Sequence, residues 1–176
     1  MSALRSVLET RRTMMRPFQI SDAEESYSWL GDPEVMRYIP FGADSCVADT
    51  VERIDRYIQH QNRHGFSKWV IADRDSQKLI GDAGLFHLPD GRRIELGYRL
   101  ASSYWGQGLA TEVARSWIEV ANEFVKDSTL YAFAHPENAA SLHLLRKLGF
   151  HFLGNETFYE IEAPLFELDL ETLGWI

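Results

Sequence analysis

The chain has 176 residues, of which 45% are hydrophobic and 25% are charged, and its formal net charge is −8 at pH 7. This length and composition are typical of one globular domain, and we expect residues 1–176 to form a single domain. The negative charge, without a Lys or Arg cluster, argues against nucleic acid as a partner and suits a cationic or amine-bearing substrate.

Single features of the sequence exclude other classes of protein. The one cysteine, Cys46, rules out an internal disulfide and a cysteine-rich metal site. Apolar runs are too short for a membrane span, and residues 1–12 lack the apolar core of a signal peptide. We therefore expect a cytoplasmic protein that binds neither membrane nor nucleic acid. The sequence leaves a homodimer open.

The first part of the chain predicts a strand, a helix and an apolar loop. The strand is predicted over 8–18, and the helix from Ser21, an N-cap residue with Glu24 in capping-box spacing, to Gly31. The loop over 32–43 carries apolar side chains between two prolines, namely Met36, Tyr38, Ile39 and Phe41. Such a loop either packs under the core or forms the wall of a substrate pocket.

The rest of the chain alternates between helical and strand-like periodicity. Helices are predicted over 47–64, 109–125 and 138–148. Strands are predicted over 67–72, 79–88, 93–101 and 129–134, and two more lie in the tail over 150–170, separated near Gly154 and Asn155. This order predicts an α/β fold of the α+β type, with a mixed, largely antiparallel sheet flanked by helices. The sheet should contain a parallel pair of strands beside the segment at 104–112.

The segment at 104–112 joins a predicted strand to a predicted helix through Gly106 and Gly108. Glycines let the N–H groups of a first helical turn approach an anion closely, and the helix dipole favours a phosphate there. The sequence after the second glycine does not fit a P-loop, and the spacing does not fit a Rossmann fingerprint. The segment alone indicates either a pyrophosphate site or a tight connection without a ligand.

Three polar residues are expected to converge beside that turn. Glu95 lies on the strand that leads into it, and Asn138 and Ser141 begin the helix that follows the neighbouring parallel strand. Ligands of such sheets bind at the carboxyl ends of parallel strands. Glu95 taken alone also fits a solvated or salt-bridged residue of the sheet.

Several segments, taken together, resemble the GNAT superfamily of acetyl-CoA-dependent N-acetyltransferases, and more narrowly its ribosomal-protein alanine N-acetyltransferase branch. They are Ile94-Glu95-Leu96-Gly97-Tyr98, Tyr104-Trp105-Gly106-Gln107-Gly108-Leu109-Ala110-Thr111-Glu112, Asn138-Ala139-Ala140-Ser141 and Leu148-Gly149-Phe150. The opening of the chain resembles that branch too, through Arg16-Pro17-Phe18, Ser21-Asp22-Ala23-Glu24 and Asp32-Pro33-Glu34-Val35-Met36-Arg37-Tyr38. The likeness covers about residues 8–170, which we expect to be the core of the domain.

The resemblance implies acetyl-CoA as the co-substrate and a set of residues that bind it. The turn at 106–111 would hold the coenzyme A pyrophosphate with backbone N–H groups. The strand end near Arg99 and Leu100 would pair with the pantetheine arm, and Asn138 would steady that arm. The implied coenzyme-binding residues are Arg99, Leu100, Gly106, Gln107, Gly108, Leu109, Ala110, Thr111 and Asn138.

The resemblance also implies catalytic roles. An α-amine with a pKa of about 8 is mostly protonated at neutral pH, so a base must act before attack, and Glu95, directly or through a water, is the candidate. A backbone N–H near Arg99 or Leu100 would stabilise the oxyanion. Ser141 stands where many members of the superfamily carry a tyrosine, and it would either protonate the leaving thiolate or only hydrogen-bond the sulfur. Acceptor contacts are expected from the loop, at Met36, Tyr38 and Phe41.

The expected reaction is transfer of an acetyl group from acetyl-CoA to a primary amine. A protein or peptide N-terminal α-amine is the first choice, because the branch that the chain resembles acts there. A small amine, such as a polyamine, an amino acid or an aminoglycoside, is the alternative, and a non-catalytic acyl-CoA-binding module is another. The six histidines lack an acidic or cysteine partner set in ligand spacing, so we expect no metal site.

Overall fold

The computed structural model describes residues 6–126 and 128–174. The helices are α1 (Ala23–Leu30), α2 (Val47–His64), α3 (Leu109–Phe124) and α4 (Ala139–Lys147). The strands are β1 (Leu8–Glu9), β2 (Thr13–Pro17), β3 (Lys68–Asp73), β4 (Leu79–His87), β5 (Ile94–Leu100), β6 (Thr129–Phe133), β7 (His151–Phe158) and β8 (Ile161–Asp169).

These strands form one sheet in the order β1-β2-β3-β4-β5-β6-β8-β7. Neighbouring strands are antiparallel except β5 and β6, which are parallel. The parallel pair is joined through α3, the kind of crossover that parallel neighbours require. The predicted fold class, a mixed and largely antiparallel sheet with helices, is confirmed.

Apolar side chains cover both faces of the sheet. On one face Trp117 of α3 meets Trp69 of β3 edge to face, with ring centroids 5.2 Å apart. On the other face Val70 of β3 belongs to a buried cluster with Trp29 of α1 and Ile54 of α2. Successive residues of a strand point to opposite faces. Helices α3 and α4 therefore cover one side of the sheet, and α1 and α2 cover the other.

The strand predicted over 8–18 is in fact a hairpin of β1 and β2, in which Leu8 pairs with Met15. Thr10 makes the turn: its N–H donates to the Thr13 carbonyl at 2.9 Å, and its hydroxyl accepts from the Thr13 N–H at 3.0 Å. A side chain that bonds nearby backbone groups stabilises a turn. The alternating pattern of a strand does not reveal such a bond.

The break predicted in the tail also lies elsewhere. Strand β7 runs through Gly154 and Asn155, with only a shift in register before Gly154, and Asn155 pairs with Pro164 of β8. The chain turns at Tyr159 and Glu160, whose φ angles are 49° and 68°. Two consecutive residues with positive φ are typical of a tight hairpin turn. Gly154 thus marks a bulge within the strand, not its end.

Helix α1 begins later than predicted. Ser21 lies in a short 3-10 helix, Ile20–Asp22, and Asp22 immediately precedes α1. The Asp22 carboxylate accepts from the Gln19 N–H at 2.8 Å and from Arg16 Nη1 at 2.7 Å. Asp22 therefore makes the return bond to a backbone N–H that was expected of Glu24, but its side chain makes no capping bond to α1. In the described ranges no helix is both long and apolar enough to cross a membrane.

Candidate active site

The glycine turn has the geometry that an anion site requires. Gly106 and Gly108 have φ angles of 71° and 77°, and Gly108 is the N-cap of α3. The Glu112 N–H donates to the Gly108 carbonyl at 3.2 Å. The N–H groups of Leu109, Ala110 and Thr111 precede it and have no acceptor within the helix. Leu109 buries its side chain in the core, so it offers only its backbone.

An arginine from the β1–β2 turn holds this segment in place. Arg12 Nη1 donates to the Gln107 carbonyl at 2.8 Å, and Arg12 Nε donates to the Glu112 carboxylate at 2.8 Å. The Thr10 hydroxyl donates to the same carboxylate at 2.6 Å. Burial opposes ionisation of Glu112, but the bonds from Thr10 and Arg12 outweigh it and lower its pKa. Sequence reasoning missed Thr10 and Arg12, because nothing local links them to residues about a hundred positions away.

Strands β5 and β6 separate beside the turn, since their pairing is confined to Glu95 and Tyr131. The Ala101 N–H bonds to Ile80 of β4. Because bonding alternates along an antiparallel pair, the odd-numbered residues of β5 face β4 and the even-numbered ones face the gap. Leu100 and Tyr98 therefore point their N–H groups into the gap.

Arg99 does not fit the coenzyme-binding role predicted for it. Its backbone faces β4, by the alternation described above. Its side chain is held by Asp82, with Nη2 2.6 Å from Oδ1, and Nη2 also donates to the Tyr57 hydroxyl at 2.7 Å. The Trp29 indole N–H donates to the same Asp82 carboxylate at 2.9 Å. Arg99 is therefore part of a buried polar network under the site.

A cavity of about 600 Å³ opens where β5 and β6 separate. It brings together Glu95, Asn138 and Ser141, as the sequence analysis expected, along with Tyr38 and Phe41 of the 32–43 loop. Its other lining residues are Ile39, Pro40, Arg53, Arg56, Tyr57, Lys68, Phe86, Leu96, Gly97, Tyr98, Arg99, Ala132, Phe133, Ala134, His135, Leu145 and Tyr159.

Glu95 is not salt-bridged within the described ranges, which was one of the two roles that its position alone suggested. It is partly buried, and no hydrogen bond or ion pair of its carboxylate occurs within residues 6–126 and 128–174. Burial raises the pKa of Glu95, and the positive charges of Lys68 and Arg99 oppose that rise without cancelling it. A carboxyl group with a raised pKa in a cavity has the properties of a general base.

Ser141 lies beside a tyrosine that sequence reasoning overlooked. The Tyr98 hydroxyl is 3.1 Å from the Ser141 hydroxyl. Burial raises the pKa of Tyr98 to about 12, although the bond with Ser141 opposes the rise. Asn138 caps α4, its side-chain oxygen accepting from the Ser141 N–H at 3.1 Å. Asn138 lines the cavity, and its amide nitrogen makes no bond in the described part of the chain.

Aromatic pairs form the outer wall of the cavity. Tyr38 stacks on His135 with centroids 5.2 Å apart, and Phe41 meets Tyr159 edge to face at 5.4 Å. Phe41 is 84% exposed and has a φ of 71°, a strained conformation for a bulky residue. The acceptor contact predicted for Met36 is wrong, because its side chain is fully buried in the core and cannot touch an acceptor. Of the three predicted acceptor contacts in the 32–43 loop, Met36 thus belongs to the core, whereas Tyr38 and Phe41 line the cavity.

Comparison with known proteins identifies the family. A model of the acetyltransferase (GNAT) domain matches residues 12–151. The chain belongs to the GNAT family of acetyltransferases. This GNAT acetyltransferase is 30% identical over 146 residues to the uncharacterized N-acetyltransferase YoaA of Bacillus subtilis, which covers 82% of each chain. It is 26% identical over 144 residues to the spermidine N(1)-acetyltransferase of Escherichia coli K12, over 80% of this chain and 73% of the other.

Solved structures share the fold of this GNAT acetyltransferase. RimJ of Mycobacterium smegmatis in complex with CoA-disulfide has a TM-score of 0.79 at 22% identity, over 96% of this chain and 88% of the other. A putative ribosomal-protein-serine acetyltransferase from Vibrio cholerae has a TM-score of 0.77 at 17% identity, over 96% and 99%. The family resemblance seen in the sequence, and the enzyme class that it implied, are confirmed.

Three histidines of this GNAT acetyltransferase come together outside the cavity. His60 and His64 lie one turn apart on α2, His87 ends β4, and their ligand atoms lie within 4.8 Å of one another. His60 Nε2 is 2.9 Å from His87 Nδ1, and His60 Nδ1 is 2.7 Å from the Phe66 carbonyl. Burial lowers the pKa of His60 to about 4. The expectation of no metal site rested on the spacing of the histidines along the sequence. That spacing does not show that the fold brings His87 next to His60 and His64.

Proposed function

We propose that this protein transfers an acetyl group from acetyl-CoA to a primary amine, with a protein or peptide N-terminal α-amine as the first choice of acceptor. The observation that carries the proposal is the Glu95 carboxylate, which lies partly buried in the cavity and makes no ion pair with the residues that the structure describes. Membership of the GNAT family supports acetyl-CoA as the acetyl donor. Acetyl-CoA supplies the acetyl group as an activated thioester.

The residues beside the gap fit coenzyme A. A side chain placed at Gly106 would meet nothing within 4 Å, so a pyrophosphate has free access to the helix N–H groups there. Arg12 Nη2 lies 3.6 Å from the Cβ position of Gly108, where it would add a positive charge. Tyr98 and Leu100 would offer the strand N–H groups that they direct into the gap to the amides of a pantetheine arm, and Asn138 lines the same cavity from the start of α4.

Glu95 would accept the proton that the attacking amine must lose. The new bond joins the amine nitrogen to the acetyl carbon, the carbon–sulfur bond breaks, and coenzyme A leaves with the bonding electrons. The N–H group of Leu100 or Tyr98 would stabilise the oxyanion, and a single such donor contributes about 2.7 to 4 kcal/mol in other enzymes. Arg99, proposed beside Leu100 from the sequence, has its N–H engaged with β4.

Tyr98 and Ser141 would receive the departing sulfur. A thiol has an ordinary pKa of about 8.5, far below the value of about 12 for Tyr98. Full proton transfer from Tyr98 to the thiolate is therefore unfavourable. The two hydroxyls are better suited to donate hydrogen bonds to the sulfur until solvent protonates it.

The charges of the cavity separate the acceptor candidates. A polyamine is one candidate, because spermidine N(1)-acetyltransferase is a relative. Of the four cationic side chains of the lining, Arg53 and Arg99 are paired with Asp44 and Asp82, which leaves Arg56 and Lys68 against the single carboxylate of Glu95. A ligand with several positive charges would be repelled there. The excess of positive charge in the cavity favours an acceptor with one amine, such as a peptide N-terminus. It weighs against a polyamine, although the net charge of the chain suits a cationic substrate.

Calorimetric titration with acetyl-CoA, followed by coenzyme A release against N-terminal peptides and small amines, tests the proposed function. We expect saturable binding and release with one acceptor class. Gly106→Ala should weaken acetyl-CoA binding at least tenfold, because it adds a methyl group at φ 71° where the phosphate approaches. Gly91→Ala is the matched control, since Gly91 has a φ of 68° and equally open surroundings but lies outside the site.

Two outcomes would contradict the proposal. Binding without release on any acceptor would support a non-catalytic acyl-CoA-binding module. Equal acetyl-CoA affinities for the Gly106→Ala and Gly91→Ala variants would show that the glycine turn is only a connection.

A further inference from the structure

A lysine ammonium group lies buried at the base of the acceptor cavity. Lys68 of β3 is only 9% exposed and lines the cavity. It stands in one row of the sheet with Gly84 and Gly97, and its Nζ occupies the space that a Cβ of Gly97 would need. The two glycines therefore let the side chain cross β4 and reach β5.

The ammonium of Lys68 has no direct partner in the part of the chain that the structure describes. Two other cations of the cavity lining are paired, Arg99 with Asp82 and Arg53 with Asp44, each at 2.6 Å. Burial lowers the pKa of Lys68, while the negative charge of Glu95 opposes the shift from beyond ion-pair distance. A buried charge without a close counter-ion is unfavourable, and an anionic ligand removes that penalty.

A second cation stands at the rim of the same cavity. Arg56 of α2 is exposed and lines the cavity, and its guanidinium makes no ion pair in the described ranges. Unpaired cations at the rim and at the base attract anions toward the interior, despite the net charge of −8 for the whole chain.

We propose that the acceptor carries a carboxylate close to its reactive amine, and that Lys68 binds this carboxylate. The inference rests on the proposed function and specifies its substrate class. Arg56 would guide the same group inward from the rim.

The positions of Glu95 and Lys68 limit how far apart the two groups can be. Glu95 and Gly97 lie two residues apart on the same face of β5, which is about 7 Å along a strand, and the Lys68 ammonium lies over Gly97. An acceptor that presents its amine to Glu95 and its carboxylate to Lys68 must hold them a few bonds apart. Two sources meet this condition: a free α-amino acid, and a peptide that begins with Asp or Glu.

The test compares matched acceptors on the wild type and the Lys68→Met variant. One pair is a peptide beginning with Asp and the same peptide beginning with Asn; the other is alanine and alaninamide. In the wild type we expect kcat/KM to favour the carboxylate member of one pair at least tenfold, and that pair identifies the source. Lys68→Met should reduce the preference to below threefold. Lys78→Met, at an exposed position, is the control and should retain it.

Several outcomes would overturn the inference. One is the absence of a carboxylate preference in the wild type, and another is its persistence in Lys68→Met. A third is an equal loss of kcat/KM on both members of a pair together with a shifted pH profile, which would mean that Lys68 acts only through Glu95. Lack of turnover on every acceptor would count against the proposed function instead. In that case, calorimetric titration with N-acetylalanine and its amide decides the inference. Lys68→Met should bind N-acetylalanine, which carries the carboxylate, more weakly than the wild type does, and should bind the amide equally well.

A separate observation supports a second site. His60, His64 and His87 each place one ring nitrogen within 4.8 Å of those of the other two. A carbonyl oxygen can only accept, so His60 Nδ1 must donate its proton to Phe66. In a neutral ring this leaves the lone pair of Nε2 facing His87. A carbonyl that orients a histidine in this way is the usual outer partner of a metal-bound imidazole.

We infer that the three histidines bind one transition-metal ion. Three imidazoles without thiolate or carboxylate suit Zn²⁺, Ni²⁺ or Co²⁺ rather than Mg²⁺ or Ca²⁺. The ion would join the C-terminal turns of α2 to the end of β4. It would therefore raise the temperature of unfolding, since the unfolded chain does not hold the three rings together.

Titration of the metal-free protein with Zn²⁺ tests this site. We expect one equivalent to bind with a dissociation constant in the micromolar range or below and to raise the unfolding temperature. His64→Gln should weaken binding at least tenfold, whereas His143→Gln, which also lies exposed on a helix, should not. Lack of saturable binding, or equal effects of the two substitutions, would overturn the inference.

Discussion

Replacing Glu95 with glutamine is expected to lower kcat by about 10²- to 10⁴-fold, the contribution typical of a positioned general base. Glutamine keeps the size of the side chain but cannot accept the proton of the amine. Acetyl-CoA affinity should stay unchanged, because the glycine turn and the strand N–H groups of the β5–β6 gap do not involve the carboxylate. Release of coenzyme A at saturating substrate measures kcat, and calorimetry measures the affinity.

The matched control for this experiment is Glu167→Gln. Glu95 and Glu167 both pair with Tyr131, one on each side of β6, but Glu167 does not line the cavity. The same chemical change at Glu167 should leave kcat near that of the wild type. A Glu95→Gln variant with unchanged kcat would exclude Glu95 as the base.

The pH profile tests the same carboxyl group. Burial raises the pKa of Glu95, with Lys68 and Arg99 opposing, and only the ionised form can accept a proton. As the pH falls through this raised pKa, the ionised fraction and kcat fall together. The acid limb of kcat should therefore lie above the ordinary glutamate value of about 4.3, and it should disappear in Glu95→Gln.

Replacing Asp82 with alanine is expected to destabilise the protein by about 3 to 5 kcal/mol, the usual cost of removing one partner of a buried ion pair. Asp82 is 1% exposed, and it accepts from Arg99 and from the Trp29 indole. Its loss leaves the Arg99 guanidinium buried without an anion. Urea unfolding measures the change in the free energy of unfolding.

Two further variants show whether the unpaired charge is the cause. Asp75→Ala, at an exposed position of the β3–β4 turn, should change stability by less than about 0.5 kcal/mol. The double variant Asp82→Leu with Arg99→Met should be more stable than Asp82→Ala alone, because it removes both charges and keeps apolar volume. A double variant less stable than Asp82→Ala would show that packing, and not charge, sets the cost.

The elements that the sequence predicted best are those with local causes. The glycine turn before α3 depends on residues that tolerate positive φ, and α3 itself on an apolar stripe of helical period. The hairpin of β1 and β2 and the turn at Tyr159 were missed. They depend on a side-chain bond and on unusual φ angles, and neither leaves a trace in the alternation of apolar residues.

The site residues show the same difference between features with local causes and features that depend on the tertiary structure. Glu95, Asn138 and Ser141 were placed together because Glu95 lies on β5, and Asn138 and Ser141 begin the helix that follows its parallel neighbour β6, where ligands of such sheets bind. Met36 was misplaced, since an apolar loop residue can turn either to the core or to the cavity. Arg99 was misplaced as a coenzyme contact, because its face of β5 depends on the hydrogen-bond register with β4.

The sequence by itself determined the family, most of the order of elements and the backbone of the glycine turn that we propose holds the coenzyme, because each of these rests on short segments with their own conformational preference. Only the tertiary structure decided the charges around the acceptor. The ammonium of Lys68 crosses β4 to reach Gly97 of β5, Arg12 reaches the glycine turn from about a hundred positions away in the sequence, and the Tyr98 hydroxyl lies beside that of Ser141. Such pairs are set by sheet register and helix packing, which act between residues far apart in the sequence.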